Sequence, residues 1–123
     1  MINKLYLINL SLLITHEIDS AFWKEWEMFY LPGGIQFFNV INFLLIIILI
    51  YGYGMVILRK RNGYTFSIIV SATGLAAFII HGSFLLYGFE QFMLPVSLLI
   101  LISCFAISIW QLIYTVKFRE IFK

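Results

Sequence analysis

His16 and His81 are the two histidines of this chain, and both lie in segments predicted to be helices inside a membrane. An ionisable group in a bilayer is costly, so it usually faces the protein interior or a cavity and marks a functional site. The two imidazoles are therefore the first candidates for binding or catalysis.

Each histidine belongs to a one-sided pattern on its helix. In the first helix, spacings of i, i+3, i+7, i+10 and i+14 predict one polar and aromatic face, formed by His16, Asp19, Trp23, Trp26 and Tyr30. The third helix presents small side chains that favour close helix packing, on a face formed by Ser67, Ser71, Gly74 and His81.

The two histidines also lie at the same predicted depth. If the outer boundary is near Trp23 and Gly88, each histidine is seven residues inward, or about 10 Å at 1.5 Å per residue. The first and third helices of an up-down bundle are diagonal, so the imidazoles are expected to meet in the core. The predicted polar layer of the outer leaflet comprises His16, Asp19, Asn39, Asn42 and His81, with Glu17 and Glu90 near its mouth.

A divalent metal is the specific hypothesis for this layer. Two imidazoles and a carboxylate are a common ligand set for zinc or iron, and an open position would allow bound water to be activated. The predicted ligands are His16, His81 and Asp19, with Glu17 as an alternative carboxylate. The chain has no H-E-x-x-H motif, because Ser20 occupies the place of the second histidine.

Two other interpretations of the polar layer stay open. A histidine beside a carboxylate titrates near neutrality and could relay protons or act on a lipid-soluble ligand. Alternatively, His16 and Asp19 satisfy one another and the asparagines are interhelical hydrogen-bond glue. The protein would then be a non-catalytic assembly, immunity or regulatory protein, so the sequence leaves open whether it is an enzyme.

Composition indicates a membrane protein. The chain is 63% hydrophobic and 11% charged, whereas soluble domains carry about 25% charge. The predicted fold is all-α: one transmembrane domain over residues 1–123, built as a four-helix up-down bundle. The predicted helices cover residues 3–29, 35–58, 64–88 and 92–117. The first is the least apolar, and its opening residues are expected to be retained rather than cleaved as a signal peptide.

The distribution of lysine and arginine along the chain predicts that both termini are cytoplasmic. Lysine and arginine concentrate in short cytoplasmic loops, and placing the 59–63 loop inside also places seven of the eight basic residues inside. Lys24, Glu25 and Glu27 are then expected to form a solvated outer edge. The net charge of +2 gives no nucleic-acid footprint. The expected partners are the lipid bilayer and either a second copy of the chain or another membrane protein.

The fourth helix carries a stripe of small and weakly polar residues, formed by Ser97, Cys104, Ser108, Gln111 and Thr115. No base is predicted beside the single cysteine, so the stripe is interpreted as helix packing rather than thiol chemistry.

One segment has a family resemblance. His16-Glu17-Ile18-Asp19, then Glu25-Trp26, then Leu31-Pro32-Gly33-Gly34-Ile35-Gln36 resembles a family of small, uncharacterised bacterial membrane proteins. The resemblance covers mainly residues 16–36. It implies a bacterial cytoplasmic (inner) membrane location and supplies no activity.

Overall fold

The computed structural model describes all residues from 1 to 123, and its regular structure is entirely helical. The predicted all-α class is confirmed. The elements in chain order are α1 (Ile2–Phe22), α2 (Glu25–Met28), α3 (Gly34–Ile57), α4 (Arg61–Leu86) and α5 (Pro95–Lys117), followed by a short 3₁₀ helix (Arg119–Ile121).

Three helices, α3, α4 and α5, are long and apolar enough to cross a membrane. The prediction of membrane-compatible helices is confirmed for these three. Helix α1 has 21 residues but also carries Lys4, His16, Glu17 and Asp19, and it is not among them. The packing of α1 against the other helices therefore shows whether it belongs to the bundle.

Helix α1 packs between α3 and α5, and α4 lies across from it. Its buried residues Tyr6, Leu10 and Leu13 form one apolar cluster with Leu49 of α3 and Val70 of α4. The Tyr6 hydroxyl donates a hydrogen bond to the carbonyl of Leu49 at 2.8 Å. This packing places one face of α1, including Asn9 and His16, toward the protein interior.

A polar cluster, here called the inner network, joins α1, α4 and α5 deep in the bundle. Asn9 donates to the Ser108 hydroxyl at 3.0 Å and to the Gln111 side-chain oxygen at 2.9 Å. Gln111 donates to the Ser67 hydroxyl at 3.0 Å, and that hydroxyl also pairs with Thr115 at 2.7 Å. All five residues are 0% exposed, and none has a buried side-chain polar atom without a partner.

The helices approach closely around this network because Gly74 of α4 has no side chain. A Cβ atom at Gly74 would collide with the Ser108 hydroxyl and lie 3.1 Å from the Asn9 side-chain oxygen. The predicted small-residue face of the third helix is thus the face that contacts the network.

The first helix differs from its predicted extent. The sequence predicts one helix over residues 3–29, whereas α1 ends at Phe22 and a separate α2 begins at Glu25. Lys24 lies between them with a positive φ of 53°, which is uncommon for a residue other than glycine. Because of this break, α2 turns back and contacts α3.

The other end of the molecule is closed by backbone hydrogen bonds. The Arg61 amide donates to the carbonyl of Lys123, and the Lys123 amide donates to the carbonyl of Arg59, both at 2.8 Å. The last residues of the chain therefore lie beside the connection between α3 and α4.

Candidate functional site

His16, Glu25 and His81 bring three potential metal-ligating atoms within 4.8 Å of one another. We call these three residues the outer cluster. The two imidazole rings are perpendicular, with centroids 4.5 Å apart. Each histidine is 2% exposed, and the Glu25 side chain is 12% exposed. The structure thus brings the two histidines together from α1 and α4, which lie across the bundle from each other.

The orientation of His81 is fixed by its own helix. Its Nδ1 lies 2.8 Å from the carbonyl oxygen of Ala77. Because a carbonyl only accepts hydrogen bonds, Nδ1 carries a hydrogen, and Nε2 presents a lone pair whenever the ring is neutral. This arrangement, a carbonyl that orients an imidazole whose other nitrogen is free, is common among metal-binding histidines.

The free nitrogen of His81 faces a carboxylate. Nε2 lies 3.2 Å from Oε1 of Glu25, yet it makes no hydrogen bond of acceptable geometry. Two atoms that both present lone pairs repel one another unless a proton or a metal cation lies between them. With a protonated His81 ring the two atoms form an ion pair, whereas with a neutral ring they need a cation between them.

Unpartnered polar atoms are concentrated around this cluster. All the buried side-chain nitrogen and oxygen atoms without a hydrogen-bond partner lie on α1, at its C-terminal end, or on His81: His16 Nδ1, Asp19 Oδ2, Ser20 Oγ, Trp23 Nε1 and His81 Nε2. Leaving such a group unsatisfied costs about 1–3 kcal/mol. Their concentration in one place indicates a site that is completed by an ion, water or another ligand.

Phe92 covers the histidine pair from the connection between α4 and α5. Its ring centroid lies 4.3 Å from that of His81 and 5.7 Å from that of His16, and its side chain is 1% exposed. Phe92 has a φ of 66°, an unfavourable conformation for a bulky residue. The strained connection thus holds an aromatic ring where it shields the imidazoles from water.

Glu25 was expected on a solvated outer edge, and the structure corrects that expectation. In a continuous helix, nine residues at 100° each would place Glu25 on the side opposite to His16. The break at Lys24 reverses this placement and turns Glu25 inward, whereas Lys24 and Glu27 remain exposed. No glycine or proline marks the break in the sequence, so no local signal predicted it.

The ionisation of Glu25 reflects its mixed surroundings. Burial raises the pKa of its carboxyl, whereas the His81 ring, the Ser20 hydroxyl and the charge of His81 and His16 in their protonated forms lower it by more. The net pKa is below the ordinary glutamate value. Glu25 is therefore a carboxylate at neutral pH and available as a ligand.

The other predicted residues of the layer are placed differently from one another. Asp19 is half-buried on α1 but lies outside the three-residue group of ligating atoms. Glu17 and Asn42 line a cavity of about 240 Å³ that Glu25 also borders. Asn39 is exposed on α3, and Glu90 is exposed in the connection between α4 and α5. The structure thus places two of the seven predicted residues, the histidines, in the outer cluster, two in the adjoining cavity and three outside both.

The geometry of the outer cluster is compatible with a metal after small side-chain rotations. Ligands about 2 Å from a tetrahedral Zn²⁺ ion are roughly 3.3 Å from one another. The three ligating atoms lie within 4.8 Å of one another, so the widest separation would contract by at most about 1.5 Å around such an ion. Three protein ligands would leave a fourth position open, as in catalytic zinc sites.

Comparison with known proteins identifies a family without an assigned role. The model of a family of unknown function (DUF6713) matches residues 2–118, which confirms the expectation of an uncharacterised family. No curated protein and no solved structure matches the chain.

Proposed function

The chain belongs to the family of unknown function DUF6713, and we propose that it is a four-span membrane protein that binds a divalent metal through His16, Glu25 and His81. The observation that carries this proposal is the 3.2 Å approach of His81 Nε2 to Glu25 Oε1, with Nδ1 already committed to Ala77. A neutral His81 ring and the Glu25 carboxylate each present a lone pair here, and a metal cation between them would be coordinated by both.

Helix α1 is the proposed fourth span. Its 21 residues would extend about 31 Å, close to the roughly 30 Å hydrocarbon core of a bilayer. Its buried polar groups face α4 and α5 rather than the outside, as in the hydrogen bonds of Asn9. This inward placement is what a polar span requires.

We propose that both termini are cytoplasmic and that the outer cluster lies toward the opposite face. The backbone pairing of Lys123 with Arg59 and Arg61 groups the basic residues at one end, which supports this orientation through the positive-inside rule. The resemblance seen in the sequence favours a bacterial cytoplasmic membrane, in which the outer cluster would face the periplasm.

The metal would be zinc or iron, because imidazole and carboxylate ligands suit both. Its open position would bind water or a polar group of a lipid-soluble ligand and polarise it. Phe92, which covers the histidine rings, would limit the access of bulk water to the ion.

Metal analysis of purified protein tests the proposal. We expect about one zinc or iron ion per wild-type chain after purification without chelators, and less than about a tenth of that in a His16→Ala, His81→Ala double variant. A Glu27→Gln variant is the control, because its side chain is 64% exposed. If wild type carries as little metal as the double variant, the metal centre should be abandoned.

A second candidate function is non-catalytic assembly with another membrane protein or a second copy of this chain. The exposed Asn39 supports it, because polar side chains on a membrane helix usually face protein rather than lipid. In this case Asn39→Leu would release a partner or convert a dimer to a monomer, as measured by native mass spectrometry. His81→Ala would then change stability without removing a bound metal.

A further inference from the structure

The cavity beside the outer cluster has a polar side and an apolar side. It has a volume of about 240 Å³ and lies between α1, α2 and α3. Glu17 and Asn42 contribute polar groups, whereas Trp26, Phe38 and Ile41 contribute apolar surface. Glu25 borders this cavity and also belongs to the outer cluster. A molecule in the cavity would therefore lie next to a ligand of the proposed metal.

The cavity is positioned to be entered from lipid. Ile41 is seven residues from the start of α3, about 10 Å along the helix, and is 48% exposed. Phe37, which also lines the cavity, is 40% exposed. The opening thus lies among apolar side chains at the depth of acyl chains, so an amphiphile could reach it from the bilayer.

The size of the cavity limits what it encloses. Typical pockets for small molecules have volumes of about 300–1,000 Å³, and this cavity is slightly smaller. It has room for a head group and the first few carbon atoms of a chain. The rest of an acyl or isoprenoid tail would remain in the bilayer.

The polar groups favour a particular kind of head group. Glu17 offers an acceptor, and Asn42 offers an amide of which one hydrogen is directed to the Phe38 carbonyl at 3.1 Å. A hydroxyl group can donate to the carboxylate, accept from the amide and still offer a lone pair to a metal. An anionic head would lie against the carboxyl groups of Glu17 and Glu25, which both border the cavity, and an ammonium has no lone pair for a metal.

We propose that this cavity binds the hydroxyl end of a long-chain alcohol or similar neutral amphiphile, with its oxygen directed toward the outer cluster. The proposal rests on the proposed metal centre, because Glu25 is shared between the two. It names the ligand class for the open metal position.

Photolabelling in lipid nanodiscs tests this proposal. The probe is hexadecanol carrying a diazirine near its hydroxyl, compared with equivalent hexadecane, hexadecylammonium and palmitate probes. We expect the alcohol to label peptides around the cavity about fivefold more than the hydrocarbon, the discrimination given by one neutral hydrogen bond. Ile41→Trp should fill the cavity and lower alcohol labelling about tenfold.

Leu44→Trp is the matched control, because Leu44 is 53% exposed on the same helix and does not line the cavity. It should leave labelling unchanged. Equal labelling by all four probes, stronger labelling by the ammonium probe, or full labelling of Ile41→Trp would overturn the proposal. Metal content is measured in the same samples. Selective labelling of protein that carries no metal would contradict the proposed metal centre and support alcohol binding in the cavity. Metal binding without selective labelling would support the metal centre and contradict alcohol binding.

Discussion

The outer cluster and the inner network are both buried and polar, but they differ in how completely their hydrogen bonds are made. In the inner network, Asn9, Ser67 and Gln111 exchange direct side-chain bonds of 2.9 to 3.0 Å. In the outer cluster, a nitrogen of each histidine has no partner. Both lie in the same bundle, so the contrast is a local property of the two sites.

This contrast assigns different roles to the two polar regions. Within an apolar surrounding, a fully paired polar network holds helices together and gains nothing from a further ligand. An unpaired polar group instead lowers stability until something binds it. The inner network therefore accounts for helix packing, and the outer cluster is the candidate ligand-binding site.

The largest expected effect concerns the carboxylate of the outer cluster. Glu25→Gln keeps the shape of the side chain but removes its charge, so metal affinity should fall about a hundredfold, equivalent to about 2.7 kcal/mol. Competition with a chromophoric chelator measures this change. Glu27→Gln makes the same change two residues away on an exposed side chain and should leave affinity unaltered. Equal affinities for wild type and Glu25→Gln would show that Glu25 is not a ligand.

A somewhat smaller effect is expected in the inner network. Gln111→Leu removes one of the two acceptors of the Asn9 amide and the donor to the Ser67 hydroxyl, so the free energy of unfolding should decrease by about 2 kcal/mol. Reversible unfolding in mixed micelles measures it, and metal content should not change. Gln36→Leu, at an exposed position, is the control. Loss of metal in Gln111→Leu would mean that the two polar regions act as one.

The smallest effect should have the opposite sign. His16→Leu removes a buried nitrogen that has no partner, so the metal-free protein should become more stable by about 1 kcal/mol. Asn9→Leu, on the same helix but in the inner network, should become less stable. Thermal unfolding of both variants in the presence of a chelator makes the comparison. A loss of stability in His16→Leu as large as that in Asn9→Leu would indicate a structural role for the histidine.

The sequence anticipated the parts of the site that depend on regular helices. Residue spacing and short connections predict that His16 and His81 meet between diagonal helices, and the two rings lie 4.5 Å apart. The stripe of small and polar residues on the fourth helix is likewise buried in α5. These features are accessible because a helix has a fixed rise and a fixed rotation per residue.

Glu25 shows where this reasoning fails. Its position depends on a break after Phe22, where Lys24 adopts a positive φ without glycine or proline nearby. Periodicity extended across that break places Glu25 on the side opposite to His16. Spacing within the first helix predicts Asp19 or Glu17 as the carboxylate, whereas the structure places Glu25 against His81 at 3.2 Å.

By itself, the sequence determined that the chain is helical, that most of it suits a bilayer and that its two histidines lie at one level of the bundle. These properties follow from composition and from the geometry of single helices. Only the tertiary structure decided which carboxylate approaches the histidines, which polar groups are left unpaired and where a cavity adjoins them. Those outcomes depend on one irregular turn and on contacts between distant segments, and neither is encoded in the spacing along any one helix.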